Sequence, residues 1–281
     1  MISFRNTINK GSEILKKNFI ETANIDAELL LSFSIKQSRE KILLNLEKKL
    51  DYHDVRKYFE LIERRKKKEP ISLIIGKKTF WKCDFYVNKD VLTPRKETEF
   101  LIEEILTLYK NSNKISVLDI GTGSGCIILS ILNSLKFSRG VGIDISSKAI
   151  EIAKANSKRM KLSNRVKFKV LDLAKIYGNQ FDLVVSNPPY IPLKDIKNLS
   201  KDIRNYEPII ALNGGVDGLD LVKKVIYKSI IVLKKNGLLA IEIGNGQYRK
   251  VSNLLKNRGF KELSKEYDYK DNVRCIISTK L

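Results

Sequence analysis

The stretch VLDIGTGSGC, Val117 to Cys126, decides the fold. An apolar run ends at Ile120 and gives way to Gly121, Gly123 and Gly125, with Thr122 and Ser124 between them. Helical spacing of apolar residues follows. A buried strand, a tight turn and a helix start fit this order, because glycine accepts left-handed backbone and lets a neighbouring backbone or ligand come close. The spacing is G-x-G-x-G. It is not the G-x-G-x-x-G of dinucleotide binders, and it lacks the Gly-Lys-Ser/Thr of a phosphate loop.

Strands and helices alternate outward from this turn. After KISVLDI come a helix over 124–137, RGVGIDI, a helix over 147–160, RVKFKVL, FDLVVSN, a helix over 219–234, GLLAIEIG and a helix over 247–258. Two closing strands follow near 260–267 and 272–279. Apolar strands separated by helices predict an α/β fold, a mainly parallel Rossmann-like sheet covered on both faces. The gap between the last two strands is too short for a crossover, so that pair is expected to be antiparallel.

Upstream the texture differs. Residues 1–70 read as helices throughout, with apolar Leu29, Leu30, Phe33 and Val55, Tyr58, Phe59, Ile62 at helical spacing. Asp51 is the expected cap of the latter helix, and Pro70 lies beyond its basic end. ISLIIGKKTFWKCDFYV, from Ile71, reads as a β-hairpin with its turn at Gly76 and with Phe80, Lys82, Phe85 and Val87 on alternating faces. TPRKETEFLIEEILTLY then predicts a helix capped by Thr93 with Pro94 at its first position. The expected domains are a helical one over 1–70, a hairpin linker over 71–92 and an α/β domain over 93–281.

Composition narrows the function classes. The chain has 281 residues, 43% hydrophobic and 30% charged, which fits a folded protein with a sizeable core. No segment approaches the run of about eighteen apolar residues that a membrane helix needs. The N-terminus lacks an apolar signal core and reads as an amphipathic helix. Cys83, Cys126 and Cys275 form no CxxC pair, which points to a reducing cytoplasm rather than a disulfide framework, and no metal site is expected. His53 is the single histidine and reads as a surface residue in the first turn of a helix. The formal charge of +21 attracts polyanions, so nucleic acid or a ribosome-associated partner is one reading and compositional drift the other.

Asp144 closes the second strand, where a carboxylate would accept both hydroxyls of a ribose. A glycine loop and a ribose acid without a phosphate cradle suit an adenosine ligand that carries no phosphates, and S-adenosylmethionine is such a ligand. Asp172 and Leu173, after the third strand, would meet the adenine; alternatively Asp172 is a surface turn residue. Asp119 would lie under the ligand's ammonium or only brace the loop. The fourth strand ends in Asn187-Pro188-Pro189-Tyr190. Planar amide and aromatic-amine nitrogens have their lone pair tied up in conjugation. Two fixed acceptors, the Asn187 side-chain oxygen and the Pro188 carbonyl, would hold both N–H bonds and turn the lone pair toward a methyl group. The prolines stiffen the turn and Tyr190 packs on the planar group, so positioning supplies the rate.

S/N/D-P-P-Y/F/W is the shared signature of methyltransferases acting on planar exocyclic or amide nitrogens. LTPRKETEFLIEEIL, VLDIGTGSGCIILSI, GIDISSKAIEIAKAN, FDLVVSNPPYIP, YEPIIALNGGVDGLD and AIEIGNGQ run in the order seen in the HemK/PrmC family, and the chain resembles that family over nearly its whole length. The resemblance implies a class I methyltransferase fold, with a seven-stranded, mostly parallel sheet whose last strand is antiparallel, behind an N-terminal helical bundle. It implies transfer of a methyl group from S-adenosylmethionine to N5 of the glutamine in the Gly-Gly-Gln motif of class I peptide chain release factors. It puts the cofactor loop on Gly121, Thr122, Gly123, Ser124 and Gly125, the ribose acid on Asp144 and the adenosine contact on Asp172 and Leu173. Asn187, Pro188, Pro189 and Tyr190 become the glutamine-binding motif, with Asn187, Pro188 and Tyr190 catalytic and Asn187 also beside the cofactor. Lys96 stands where the family usually has a second proline, and Cys126 where a small residue such as alanine is common. A monomer in the cytoplasm is expected, with no membrane and no nucleic acid as direct substrate. The rivals are a DNA or RNA exocyclic-amine methyltransferase and a non-catalytic adapter.

Overall fold

The computed structural model describes residues 1–281 except Asn113, Asn179 and Tyr269. The chain divides into two compact units, Met1–Lys77 with Ser200–Tyr206, and Lys78–Leu199 with Glu207–Leu281.

The first unit is helical: α1 (Phe4–Lys17), α2 (Ala23–Ile35), α3 (Arg39–Leu43), α4 (Tyr52–Lys66) and α5 (Ile71–Ile75). Leu15, Leu30, Leu31, Tyr58 and Ile62 form its buried centre. Gly11 lets α4 approach α1, because a Cβ there would stand 1.9 Å from the Tyr58 hydroxyl. The Asp51 side chain accepts from Asp54 N at 2.8 Å and caps α4, as its sequence position predicts. Exposed His53 sits in that first turn. Helices do not account for everything here. β1 (Ile2–Ser3) pairs antiparallel with β2 (Lys49–Leu50). The helix Lys201–Tyr206 (α9 in chain order) also belongs to this unit, and the Tyr206 hydroxyl donates to Lys67 O at 3.0 Å.

Two local expectations are corrected. Ile71–Ile75 is helical, and Gly76 at φ +71 ends that helix rather than turning a hairpin. Ser72 and Ile74 are buried, so a short apolar run that fits either element is decided by packing. The hairpin is β3 (Lys77–Phe80) with β4 (Cys83–Tyr86), and its turn falls on Trp81 and Lys82. Both have positive φ, +41° and +60°, the conformation a two-residue hairpin loop requires. Likewise α6 is Glu97–Leu108 and not a helix capped by Thr93. Thr93 is buried and Pro94 and Arg95 line a cavity, so the segment before the helix runs past the site instead of capping it.

The second unit is built on one sheet. Its strands are β5 (Ser116–Ile120), β6 (Arg139–Asp144), β7 (Val166–Val170), β8 (Phe181–Ser186), β9 (Leu233–Glu242), β10 (Phe260–Tyr267) and β11 (Val273–Lys280). They lie in the order β10-β11-β9-β8-β5-β6-β7. All neighbours are parallel except β11, which is antiparallel to β9 and β10. Alternate residues of each strand enter different cores, as the two-residue period demands. Val117, Leu183, Val185 and Ala240 join Phe85, Leu101 and Ile128 on one face. Leu118, Val184, Leu239 and Ile241 join Val222, Ile226 and Val251 on the other. The connecting helices α7 (Cys126–Ser134), α8 (Ser147–Arg159), α10 (Asp220–Val232) and α11 (Tyr248–Asn257) supply those cores.

The chain starts this sheet at β5 in the middle, and successive strands are laid down on either side of it. In register, Ile120 stands beside Ile143 of β6 and Ser186 of β8. The glycine loop, Asp144 and Asn187 therefore leave the sheet at one edge, at the point where strand order reverses. Ligands of open α/β sheets collect there.

Candidate active site

The glycine loop is tied to the second strand. Gly121 N and Thr122 N both donate to Ile143 O at 2.9 Å. The three glycines have positive φ but different surroundings. A Cβ on Gly121 or Gly123 would meet nothing within 4 Å, whereas one on Gly125 would press on Leu129, Ala153 and Phe168 at 3.1–3.3 Å. The first two give the loop an open inner surface, and the third packs the helix start onto the sheet.

Asp144 accepts from Gly123 N at 3.0 Å through Oδ2 and from Ser146 N at 2.9 Å through Oδ1, and its half-buried carboxylate lines the cavity. Asp119 is fully buried and is not a lining residue. Thr122 Oγ1 donates to its Oδ2 at 2.7 Å, so it braces the loop from beneath. Burial pushes its carboxyl up to about 7, against the pull of the Thr122 hydroxyl. Leu173 lines the cavity while Asp172 is exposed; the Asp172 carboxylate accepts from Ala174 N at 2.8 Å and caps the turn Leu173–Lys175.

The Asn-Pro-Pro-Tyr corner is clamped from behind. Ser186 Oγ donates to Ile120 O at 2.8 Å just before it. Just after it, Ile191 N donates to Leu212 O at 3.1 Å and Gly214 N to Ile191 O at 2.9 Å, a parallel bridge to the loop that precedes α10. Two glycines make that approach possible. A Cβ on Gly214 would lie 2.8 Å from Pro189 O, Tyr190 Cα and Gly218 O, and one on Gly218 would lie 2.4 Å from Tyr190 O. Gln247 closes the clamp: its Nε2 donates to Tyr190 O at 3.0 Å and Gly218 O at 3.2 Å, and its Oε1 accepts from Gly244 N at 2.8 Å.

One cavity of about 270 Å³ collects most of these groups. Gly121, Thr122, Gly123 and Ser124 line it, with Asp144 and Leu173, then Asn187, Pro188 and Pro189. Val91, Ile145 and Leu171 add apolar wall. Gly125, Asp172 and Tyr190 are not among the lining residues. Tyr190 instead points its hydroxyl into a buried polar cluster. It donates to Glu242 Oε1 at 3.2 Å and accepts from Arg274 Nη2 at 2.9 Å, and the Arg274 guanidinium lies 5.3 Å from its ring centre.

Sequence reasoning missed this cluster. Glu242, at the end of β9, is fully buried; its Oε2 accepts from Thr98 Oγ1 at 2.5 Å, and Thr98 Oγ1 accepts from Asn187 Nδ2 at 3.3 Å. Arg274 Nη2 stands 3.9 Å from Glu242 Oε1. Burial raises the Glu242 carboxyl above its usual range, against the Thr98 hydroxyl, the Arg274 charge and Tyr190, which all pull it down. Burial likewise raises the Tyr190 phenol, and Glu242 adds to that. One signal was available: Glu242 interrupts the otherwise apolar LLAIEI. Arg95, another lining residue, pairs with buried Glu207 at 2.6 Å.

Comparison with known proteins places the chain. Residues 6–76 match the family described as PrmC N-terminal domain, and residues 111–277 match that described as Methyltransferase domain. The release factor glutamine methyltransferase of Clostridium acetobutylicum is 38% identical over 282 residues, covering 99% of both chains. That of Caulobacter vibrioides is 38% identical over 267 residues, covering 95% of this chain and 92% of its own. Among solved structures, the hMettl16 catalytic domain superposes with a TM-score of 0.58 over 70% of this chain and 75% of its own, at 16% identity, a likeness of fold. With relatives this similar along their full length, the chain belongs to the release factor glutamine methyltransferase family.

Proposed function

We propose that this protein transfers a methyl group from S-adenosylmethionine to the side-chain amide of the glutamine in the Gly-Gly-Gln tip of class I release factors. The observation that carries the proposal is one cavity lined by the glycine loop, Asp144 and the Asn187-Pro188 corner. The relatives' names and the PrmC N-terminal domain match favour a protein substrate over a nucleic-acid base.

The residues present fit the donor. Gly121 and Gly123 leave open the space that side chains would fill, so a ligand can lie against their backbone. Asp144 is anchored by two backbone N–H groups, and its remaining lone pairs are available to ribose hydroxyls. Leu173, Leu171 and Ile145 offer apolar surface to a base. Asp172 accepts from Ala174 N through Oδ1 alone and lies outside the cavity lining, so its Oδ2 is the atom assigned to the base.

Bound donor supplies a methyl carbon made electrophilic by the sulfonium. The protein's part is to aim a weak nucleophile. Asn187 has its Nδ2 committed to Thr98, which leaves Oδ1 as the atom offered to a guest. Pro188 and Pro189 bring carbonyls to this edge but no N–H. Two acceptors, Asn187 Oδ1 and Pro188 O, then take the two N–H bonds of a glutamine amide and orient the nitrogen. Tyr190 stiffens the end of the corner through Glu242 and Arg274 and presents its half-buried ring beside it. After transfer the nitrogen's proton passes to water, so no general base is required.

The helical unit is assigned to gripping another part of the release factor, and the protein is assigned to the cytoplasm as a monomer. Among the described residues no helix is long and apolar enough to cross a membrane. The test is transfer of labelled methyl to a purified release factor, beside the same factor with the Gly-Gly-Gln glutamine replaced by alanine. Label is expected in the first alone. Label in both, or in nuclease-sensitive material only, overturns the assignment.

A further inference from the structure

An asparagine side chain has an oxygen and an NH2 that fill nearly the same space, so shape alone does not decide which faces a cavity. The partner decides. At Asn187 that partner is Thr98 Oγ1, 3.3 Å from Nδ2. A hydroxyl is both donor and acceptor, and by itself it would satisfy either orientation. Here its single proton is already engaged: Thr98 Oγ1 donates to Glu242 Oε2 at 2.5 Å. Both Glu242 oxygens accept, Oε2 from Thr98 and Oε1 from Tyr190, so the Thr98 hydroxyl turns its proton to Glu242 and its lone pairs to Asn187. A flipped Asn187 would set oxygen against lone pairs.

The geometry points to Thr98 as a positioning residue whose hydroxyl, polarised by Glu242, holds the Asn187 amide with its oxygen toward the cavity. The same carboxylate takes the Tyr190 hydroxyl on its other oxygen, so Glu242 sets both ends of the Asn-Pro-Pro-Tyr corner. Burying a carboxylate is costly, and retaining one here is accounted for by this double orientation. Glu242 is fully buried and lies outside the cavity lining, so it acts only through its neighbours, whereas Thr98 lines the cavity together with Asn187. The relay rests on the methyl-transfer reading for its consequence in turnover, but not for the amide orientation itself.

Orientation is read first, without donor or substrate. The Asn187 side-chain amide signals in a 1H–15N spectrum are identified by their absence in Asn187→Ala. In the unaltered protein and in Thr98→Ser they are expected at hydrogen-bonded positions, and in Thr98→Val they are expected to move to those of a free amide. Signals unchanged in Thr98→Val overturn the proposal. Turnover is read second. Thr98→Val is expected to lower kcat about 10- to 100-fold with the donor Kd and the thermal midpoint held, and Thr98→Ser to restore most of it. Thr98→Ala, which also lacks the hydroxyl, gives the same reading should valine fit badly. Equal activity in valine and serine variants overturns the proposal. Glu242→Gln is expected to cost less in the Thr98→Val background than alone, because it acts partly through that hydroxyl; strictly multiplying losses overturn its part. If the unaltered enzyme leaves the release factor unmethylated, the functional reading fails while the amide spectrum still decides this one.

Discussion

At the scale of single residues, the site divides labour between groups that touch a guest and groups that hold those groups still. Under the proposed function Asn187, which lines the cavity, is in the first class. Asn187→Ala removes an acceptor that matters only as the nitrogen is aimed, so kcat is expected to fall by at least about 100-fold while donor affinity stays within about 3-fold. Equilibrium binding beside single-turnover transfer checks this. Asp119 is in the second class. Its carboxyl titrates near 7 in the folded protein against 3.8 ordinarily, so the folded state holds a proton that the unfolded chain gives up. That contribution to stability is full below about 3.8 and is lost as pH rises toward 7, with a slope of at most about 1.4 kcal/mol per pH unit. Asp119→Asn keeps an acceptor for Thr122 and is expected to flatten that slope. Denaturant midpoints of both proteins between pH 4 and 8 decide it.

At the scale of elements, the loop before α10 is as much a part of the site as the motif it clamps. Gly214→Ala would drive a methyl group into three backbone or Cα atoms at 2.8 Å, none of which is a flexible side-chain end. It is expected to lower the thermal midpoint by several degrees, for a loss of about 1–3 kcal/mol, and to cut transfer while leaving donor binding nearly intact. Melting curves and donor titration of the variant test both parts. The sequence made the sheet legible because burial on two faces forces apolar strands, and because glycines and an aspartate mark their ends. Local rules failed where packing chose between alternatives. Ile71–Ile75 suits a strand or a helix by composition, and its burial made it a helix. Thr93 and Pro94 carry cap chemistry, but Thr93 is buried and Pro94 lines the cavity. The Thr98–Glu242 bond was hidden for a different reason: its partners are 144 positions apart, and no local pattern joins them. Asp172 shows both of its readings at once: it follows the third strand beside Leu173, which lines the cavity, and its Oδ1 caps its own turn.

At the scale of the molecule, the sheet is assembled out of chain order, and the last strand fills the slot between β9 and β10. Deleting residues 273–281 leaves both neighbours with unpaired backbone and strips Ile276 and Ile277 from the two cores. Such a chain is expected to lack a cooperative thermal transition; one that melts like the whole protein would contradict this account of the core. Arg274 rides on that strand. The cation that faces Tyr190 is thus delivered from 84 positions further along the chain than the motif it supports. A chain without β11 would keep its glycine loop and its Asn-Pro-Pro-Tyr sequence but lack the strand that locks them, so both would be present in sequence and absent as a working arrangement.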